Sequence, residues 1–461
     1  MAATDILGSA DAAHLLRRAG FGAAPKDLTH FAPLTRAAAV AELVGAKPRR
    51  SRPPAGKDSD AALAKMQVWW LKQMLAPRWR LHEKIALFWH AHFGTSWSAL
   101  PSSAKLARQN ALFRQLGLGS FRTLLYEVTR DAAMLEARDG VRSGLPVPNE
   151  NYASELLERY ALGALDAQGM PNFSQSDVHD FARALSGYRL GPKDLFGHVE
   201  PGVFDAGQKH VFAGRTGELM GNLGVEDETG AQLPPERNVL DALFAHRDSD
   251  DRPTLARFLA GRLWEWLAAP APPLALVDEL ADAFVASQYQ VSALVSAILA
   301  HDDFYAAATR SSTARTPVDF TLASLRALEA RSSLAALPGA LRDMGMALFD
   351  PPAEGWSSGE AWLALGPYLA RLQFAQSLAA GRSGRTYSLN AKRLFSAPAG
   401  DDAAVVDALL ARLDVTPSAA GRQALLDYLA TAVGLESKER LERKLRGLVA
   451  LALTLPEYQV H

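Results

Sequence analysis

Leucine and alanine return at three- and four-residue spacing along almost the whole chain, and one long stretch, residues 188–236, breaks that pattern. Such spacing lays apolar side chains along one stripe of a helix, and the stripe must be buried against another element. The expected fold class is all-α: mainly helical, a single large body with a short β-hairpin or irregular excursion around residues 188–236. The chain has 461 residues, 48% of them hydrophobic, which is ample for a core. One α-helical domain is expected over 1–461, with the helices of 237–461 as a candidate subdomain. No segment repeats at a fixed period, so a solenoid is not expected.

Local signals divide the helices. The first is expected from Asp11 to Arg18, stopped by Gly20 and Gly22. Others are expected over Thr35–Val44, from Ala61 through His92, over Ser103–Leu116 and over Phe121–Asp131. Ser174 and Asp177 form a Ser-x-x-Asp box that closes a helix start, and Gly187 ends that helix. Ser357 and Glu360 form a second such box after Pro351 and Pro352. Residues 47–60, KPRRSRPPAGKDSD, have no pattern to bury and are expected to be a mobile, dispensable loop. Within the break, GHVEPGVFDAGQKHVFAGRTG alternates like a hairpin near 198–214. That break is too short and too poor in apolar residues for its own core, so it is expected to lie over the helices.

Charge and composition exclude several functions. Lysine plus arginine number 49 against 50 acids, a net charge of −1, so there is no electrostatic footprint for nucleic acid and no polybasic arm for membranes. There is no cysteine, hence no disulfide, thiolate metal site or cysteine nucleophile. No apolar run approaches the roughly 20 residues of a membrane span. The N-terminus lacks the basic start and apolar core of a signal peptide, so a cytoplasmic protein is expected. Neither a phosphate-binding glycine loop, a Gly-x-Ser-x-Gly elbow, a His-Glu-x-x-His helix nor a dinucleotide fingerprint is present.

The stretch VPNENYASELLERYALGAL carries the first candidates. On a helical wheel Tyr152, Ala153, Leu156, Leu157 and Tyr160 share an apolar face, while Asn151, Glu155, Glu158 and Leu162 point the other way. One account is a solvated outer face, with Glu155 paired to Arg159 and Asn149 or Asn151 capping the start. The other places two carboxylates side by side to hold a hard cation or share a proton. In LFWHAHF, His90 and His92 fall on nearly opposite sides of a continuous helix and converge only if the helix ends near His90. His92 lies on the stripe of Ile85, Phe88 and Trp89, as a hydrogen-bonded core histidine would. His90 shares the other side with Glu83 and is expected to face polar surroundings. Arg17 and Arg18, beside His14, suit either a clamp on a carboxylate or phosphate or a tie at a helix end. Asp177, Asp180 and Arg183 have the spacing of helix-surface charges. Trp356 and Trp362 suit either sugar stacking or a plug in the turn.

Six stretches in this order, HLLRRAGFG, LFWHAHFGTS, NENYASELLERYALG, SDVHDFARALSGY, FDAGQKHVFAG and LFDPPAEGWSSGEAW, resemble the landmarks of the bacterial domain-of-unknown-function 1800 family over roughly residues 10–380. The resemblance implies no assigned activity. It implies a sulfatase-like protein of the alkaline-phosphatase superfamily as a neighbour and partner, and export as the alternative to the cytoplasm. The chain departs from the family's pattern with Phe204 in place of a His, Tyr188 in place of a Trp and Arg315 in place of a Lys.

Two functions follow as expectations. The first is an enzyme or enzyme subunit whose site forms where the His90/His92 segment meets Asn149–Glu158. Its catalytic candidates are Glu155, Glu158, His90 and His92, and its binding candidates are Asn149, Glu150, Asn151, Arg17 and Arg18. Glu155, Glu158 and His92 are the candidate ligands of a divalent metal ion. The second is a non-catalytic binding or escort partner of the sulfatase-like protein. The discriminator is whether Glu150, Glu155, Glu158, His90 and His92 share one pocket. Glu155 and Glu158 are expected to face an internal polar cavity.

Overall fold

The computed structural model describes residues 6–47, 51–227, 229–352, 355–356, 359–381, 386–390, 394, 401–431 and 438–461. It is 56% helical, and the described residues form 20 helices and three two-stranded sheets. None of the described helices is long and apolar enough to cross a membrane.

The helix Arg80–Phe93 runs through the core, with 13 of its 14 residues buried. Its apolar residues surround the axis, so it packs on every side, and each charge it carries needs a buried partner. Glu83 accepts hydrogen bonds from Arg114, at 2.7 Å, and from the indole of Trp70, at 3.0 Å. Lys84 meets Asp319 at 2.8 Å and Arg80 meets Asp27 at 3.0 Å. Gly94, at φ +59°, ends the helix in the left-handed conformation. The helices expected from Ala61 through His92 are Asp60–Leu75 and Arg80–Phe93, separated by a short turn that begins at Pro77.

The acid-bearing segment begins as α-helix, Asn151–Glu155, and continues as π-helix, Leu156–Ala161. The Leu162 N–H reaches the Leu157 carbonyl, five residues back, at 3.0 Å. This wider turn rotates Leu162 off the acid face and into the core, correcting the regular wheel. Tyr152, Ala153, Leu156, Leu157 and Tyr160 are buried as expected.

The excursion also differs from expectation. Strand 198–199 pairs backwards with 188–189, and 209–211 pairs forwards with 219–221, so two ribbons replace one hairpin over 198–214. The helix Gln175–Ala184 holds the second ribbon. Its Ser174–Asp177 box is formed, and Asp177 and Asp180 accept the N–H groups of Phe212 and His210, each at 2.6 Å. Arg183 reaches Asp205 at 2.8 Å. These residues pin the ribbon and are not free surface charges. Phe204 lies under the Lys209 ammonium, 4.5 Å from the ring centre.

Residues 51–59 are tied down, contrary to the mobile loop expected. Asp58 accepts the Ser103 N–H at 2.7 Å, Ser103 Oγ donates to the Gly56 carbonyl at 2.8 Å, and Arg114 donates to the Ser51 carbonyl at 2.5 Å. The loop supplies the cap that Ser102 does not give the helix Ser103–Leu116. Residues 48–50 and the Ser357 box lie outside the described residues.

The last residues return to the core. Arg315 N–H donates to the Gln459 carbonyl at 2.8 Å, His461 N–H to the Thr313 carbonyl at 2.9 Å, and Tyr458 is buried under the Arg315 guanidinium.

Candidate functional site

A cavity of about 610 Å³ opens beside the central helix. Four groups of elements wall it: Lys84, Phe88 and His92; the π-helix residues Glu158 and Arg159; Phe258, Arg262 and Trp266 of the helix Thr254–Leu267; and the segments carrying Asp319, Trp356, Trp362 and His461. Its volume falls in the range of small-molecule sites, roughly 300–1,000 Å³. A larger hollow of about 790 Å³, between the helices Leu337–Asp343 and Leu365–Ala379, is lined mostly by alanine, glycine and small polar residues, with Asp343 its one charged lining residue among the described residues. The chemistry therefore concentrates in the smaller cavity.

His92 is fully buried, and burial holds its imidazole down to about 3, so it stays neutral. Its Nε2 lies 3.1 Å from the Tyr160 carbonyl, which only accepts, so Nε2 carries the proton. Nδ1 is therefore a bare acceptor, and no group among the described residues donates to it. Because the helix continues to Phe93, His90 points elsewhere. It packs between Trp70 and Trp356 with ring centres 5.4 Å apart in each case, its Nε2 without a partner, and burial lowers it to about 3. The polar surroundings expected for His90 are aromatic, because the central helix has no outer face.

The acids separate. Glu158 is exposed and lines the cavity. Glu155 turns to Arg159 at 3.0 Å and Arg138 at 3.7 Å, outside the cavity lining. Asn149 caps the helix start by accepting the Asn151 N–H at 2.8 Å, and Asn151 is exposed. Glu150 accepts from Gln175 at 2.9 Å and meets His179 at 3.1 Å. Arg17 pairs with Asp414. Of the five residues that were to share a pocket, only Glu158 and His92 do so. Among the described residues no three histidine, aspartate or glutamate side chains converge as cation ligands would.

At the cavity floor Lys84 donates to both Asp319 oxygens at 2.8 Å, and Asp319 also accepts from Thr316 at 2.9 Å. Burial pulls the Lys84 ammonium below its ordinary value, and Asp319 opposes that shift. Arg18, 1% exposed, donates from Nε to the Leu267 carbonyl at 2.7 Å and from Nη2 to the Trp266 carbonyl at 3.3 Å. The indole nitrogens of Trp266, Trp356 and Trp362 are buried without a hydrogen-bond partner among the described residues.

The sequence model of a family described as "Protein of unknown function (DUF1800)" matches residues 14–460. The chain belongs to the DUF1800 family. No curated protein and no solved structure matches it. Four of the six stretches that carry the DUF1800 resemblance meet at the cavity: HLLRRAGFG brings Arg18, LFWHAHFGTS brings His92, NENYASELLERYALG brings Glu158 and Arg159, and LFDPPAEGWSSGEAW brings Trp356 and Trp362. Sequence reasoning missed Lys84, Asp319 and Trp266. A lysine inside the apolar run KIALFWH was the available signal for the first, since such a charge needs a buried partner.

Proposed function

We propose that this chain binds a small ligand bearing a hydroxylated ring, of the sugar class, in the cavity between the central helix and the tryptophans, as an enzyme or enzyme subunit. One observation carries this reading: three tryptophans from two separate stretches of the chain line one cavity, each with an indole N–H that finds no partner among the described residues. A buried indole usually has one. A ring with apolar faces and peripheral hydroxyls suits such a wall, because its oxygens accept from indole N–H groups and its O–H groups donate to His92 Nδ1. His92, held neutral, positions a hydroxyl and is too weak a base to take its proton at neutral pH. Acid–base work falls to Glu158, a cavity carboxylate on the same wall as His92 and, unlike Glu265, without an ion-pair partner among the described residues.

The test is quenching of tryptophan fluorescence by neutral mono- and disaccharides, compared with acyclic polyols. Saturable quenching by the rings, weakened in Trp356→Phe and Trp362→Phe, is the expected result. Equal effects of rings and acyclic polyols would remove the reading. Glu158→Gln is expected to change stability by less than about 0.5 kcal/mol, since the side chain is exposed. Sugar binding persists in that variant while turnover of any cleaved or isomerised sugar falls at least tenfold. An unchanged rate would remove Glu158 from the chemistry.

A second reading, a non-catalytic partner of a sulfatase-like protein, is favoured by the dispersal of Glu150, Glu155 and His90 away from the cavity. It is checked by co-purification of the two proteins with the Trp356→Phe and Trp362→Phe variants, which should leave the association intact.

A further inference from the structure

We propose that the cavity floor is an oxyanion subsite in which Arg18 receives the anionic group of the ligand, so that the ring bound above it is an acidic sugar. This rests on the ring-binding reading above and adds the charge of the ligand.

Two cations, Arg18 and Lys84, share the floor with one carboxylate, Asp319. All three are buried. Lys84 donates to both Asp319 oxygens, and Asp319 acts on Arg18 through space, with no hydrogen bond from Arg18 to a carboxylate among the described residues. Burying two cations against one carboxylate is costly, and a site that does so is completed by an anion or stabilised by dipoles. Dipoles contribute here: Arg18 ties two carbonyls at the end of the helix Thr254–Leu267, where partial negative charge collects. That contact uses Nε and Nη2. Nη1 makes no hydrogen bond among the described residues, and Arg18 lines the cavity. The guanidinium thus has one edge committed to structure and one nitrogen left for a ligand.

The other cations do not duplicate this. Arg159 is engaged by Glu155, and Arg262 lies 3.7 Å from Glu265. The Asp319 carboxylate would repel an anion, but the Lys84 ammonium covers both of its oxygens. The field at the floor is also felt by His461, whose imidazole is held well below its ordinary value first by burial and then by the charges of Arg18 and Lys84.

The experiment uses the intact chain and two probes. In the first arm, glucose and glucuronate are compared by tryptophan quenching at constant ionic strength. Glucuronate is expected to bind about tenfold or more tighter, the value of one charge-assisted hydrogen bond. In the second arm, inorganic phosphate and sulfate are titrated against chloride in a thermal melt, with Arg18→Met alongside. The oxyanions should raise the parent's melting temperature and leave that of Arg18→Met unmoved. Equal affinity for glucose and glucuronate, or oxyanion stabilisation that persists in Arg18→Met, overturns the subsite. Should Arg18→Met fail to fold, the glucose–glucuronate comparison on the parent decides alone. Phosphate stabilisation that depends on Arg18, with no quenching by either sugar, would keep the oxyanion subsite and dismiss the ring-binding reading.

Discussion

Asp319→Asn is expected to lower stability by about 3–5 kcal/mol at neutral pH, because it leaves Lys84 and Arg18 together in the core without a counter-charge. Asparagine preserves the shape and can still accept from the Thr316 hydroxyl, so the loss reports charge and not packing. The pH dependence has a definite sign. With its carboxylate partner gone, Lys84 sheds its proton more readily in the folded chain than in the unfolded one. The unfolded state then binds more protons, so stability rises with pH toward the ordinary lysine value and the deficit shrinks in alkali. Phosphate should restore part of the loss by supplying an anion to the floor. The measurement is urea unfolding of parent and variant from pH 7 to 10. A deficit below about 1 kcal/mol, constant over that interval, would mean that the floor is not a dry ionic layer.

The second large effect is expected at Asp131. It is fully buried and caps the helix Ala132–Ala137 by accepting the N–H groups of Ala133 and Met134, while its Oδ1 has no partner. Burial pushes its carboxyl from 3.8 up to about 7, against the weaker pull of Arg108 and the cap bonds. The folded state therefore holds a proton that the unfolded state has lost between those values, and stability falls as pH rises through that window. Moving a carboxyl so far corresponds to roughly 4 kcal/mol, all of it lost above pH 7. Asp131→Asn keeps a capping oxygen and has no proton to lose. Its unfolding midpoint should exceed the parent's at pH 8 and approach it near pH 4. Parallel pH profiles for the two proteins would show that Asp131 is ionised in the fold without penalty.

The helical class and several helix boundaries were legible because they depend on neighbours in sequence. The Ser174–Asp177 box needs only residues three apart. The Glu155–Arg159 pair needs one turn of helix. The candidate site was legible in part: Arg18, His92, Glu158, Trp356 and Trp362 were all singled out, and all line the cavity. What stayed hidden depends on contacts the local pattern does not encode. The π-helix at Leu156–Ala161 turned Leu162 inward and separated Glu155 from the cavity, and it follows from packing, not from propensity. The burial of His90 could not be foreseen, since a wheel shows which residues share a side but not whether both sides are covered. The loop 51–59 looked free because its work, capping a helix that begins at Ser103, is done at a distance.

The ion pair beneath the cavity also governs how the chain reaches its fold. Lys84 and Asp319 are 235 residues apart, and Arg18 lies 249 residues from the carbonyl it holds at Leu267. A ribosome adding about 5–20 residues each second leaves Lys84 waiting roughly ten to fifty seconds for its carboxylate. During that interval the central helix cannot be enclosed without trapping a lone ammonium, so its apolar sides stay open to other chains. The nascent N-terminal third is thus a natural client for chaperones, and expression at lowered temperature or with added holdase should raise the soluble yield of the whole protein.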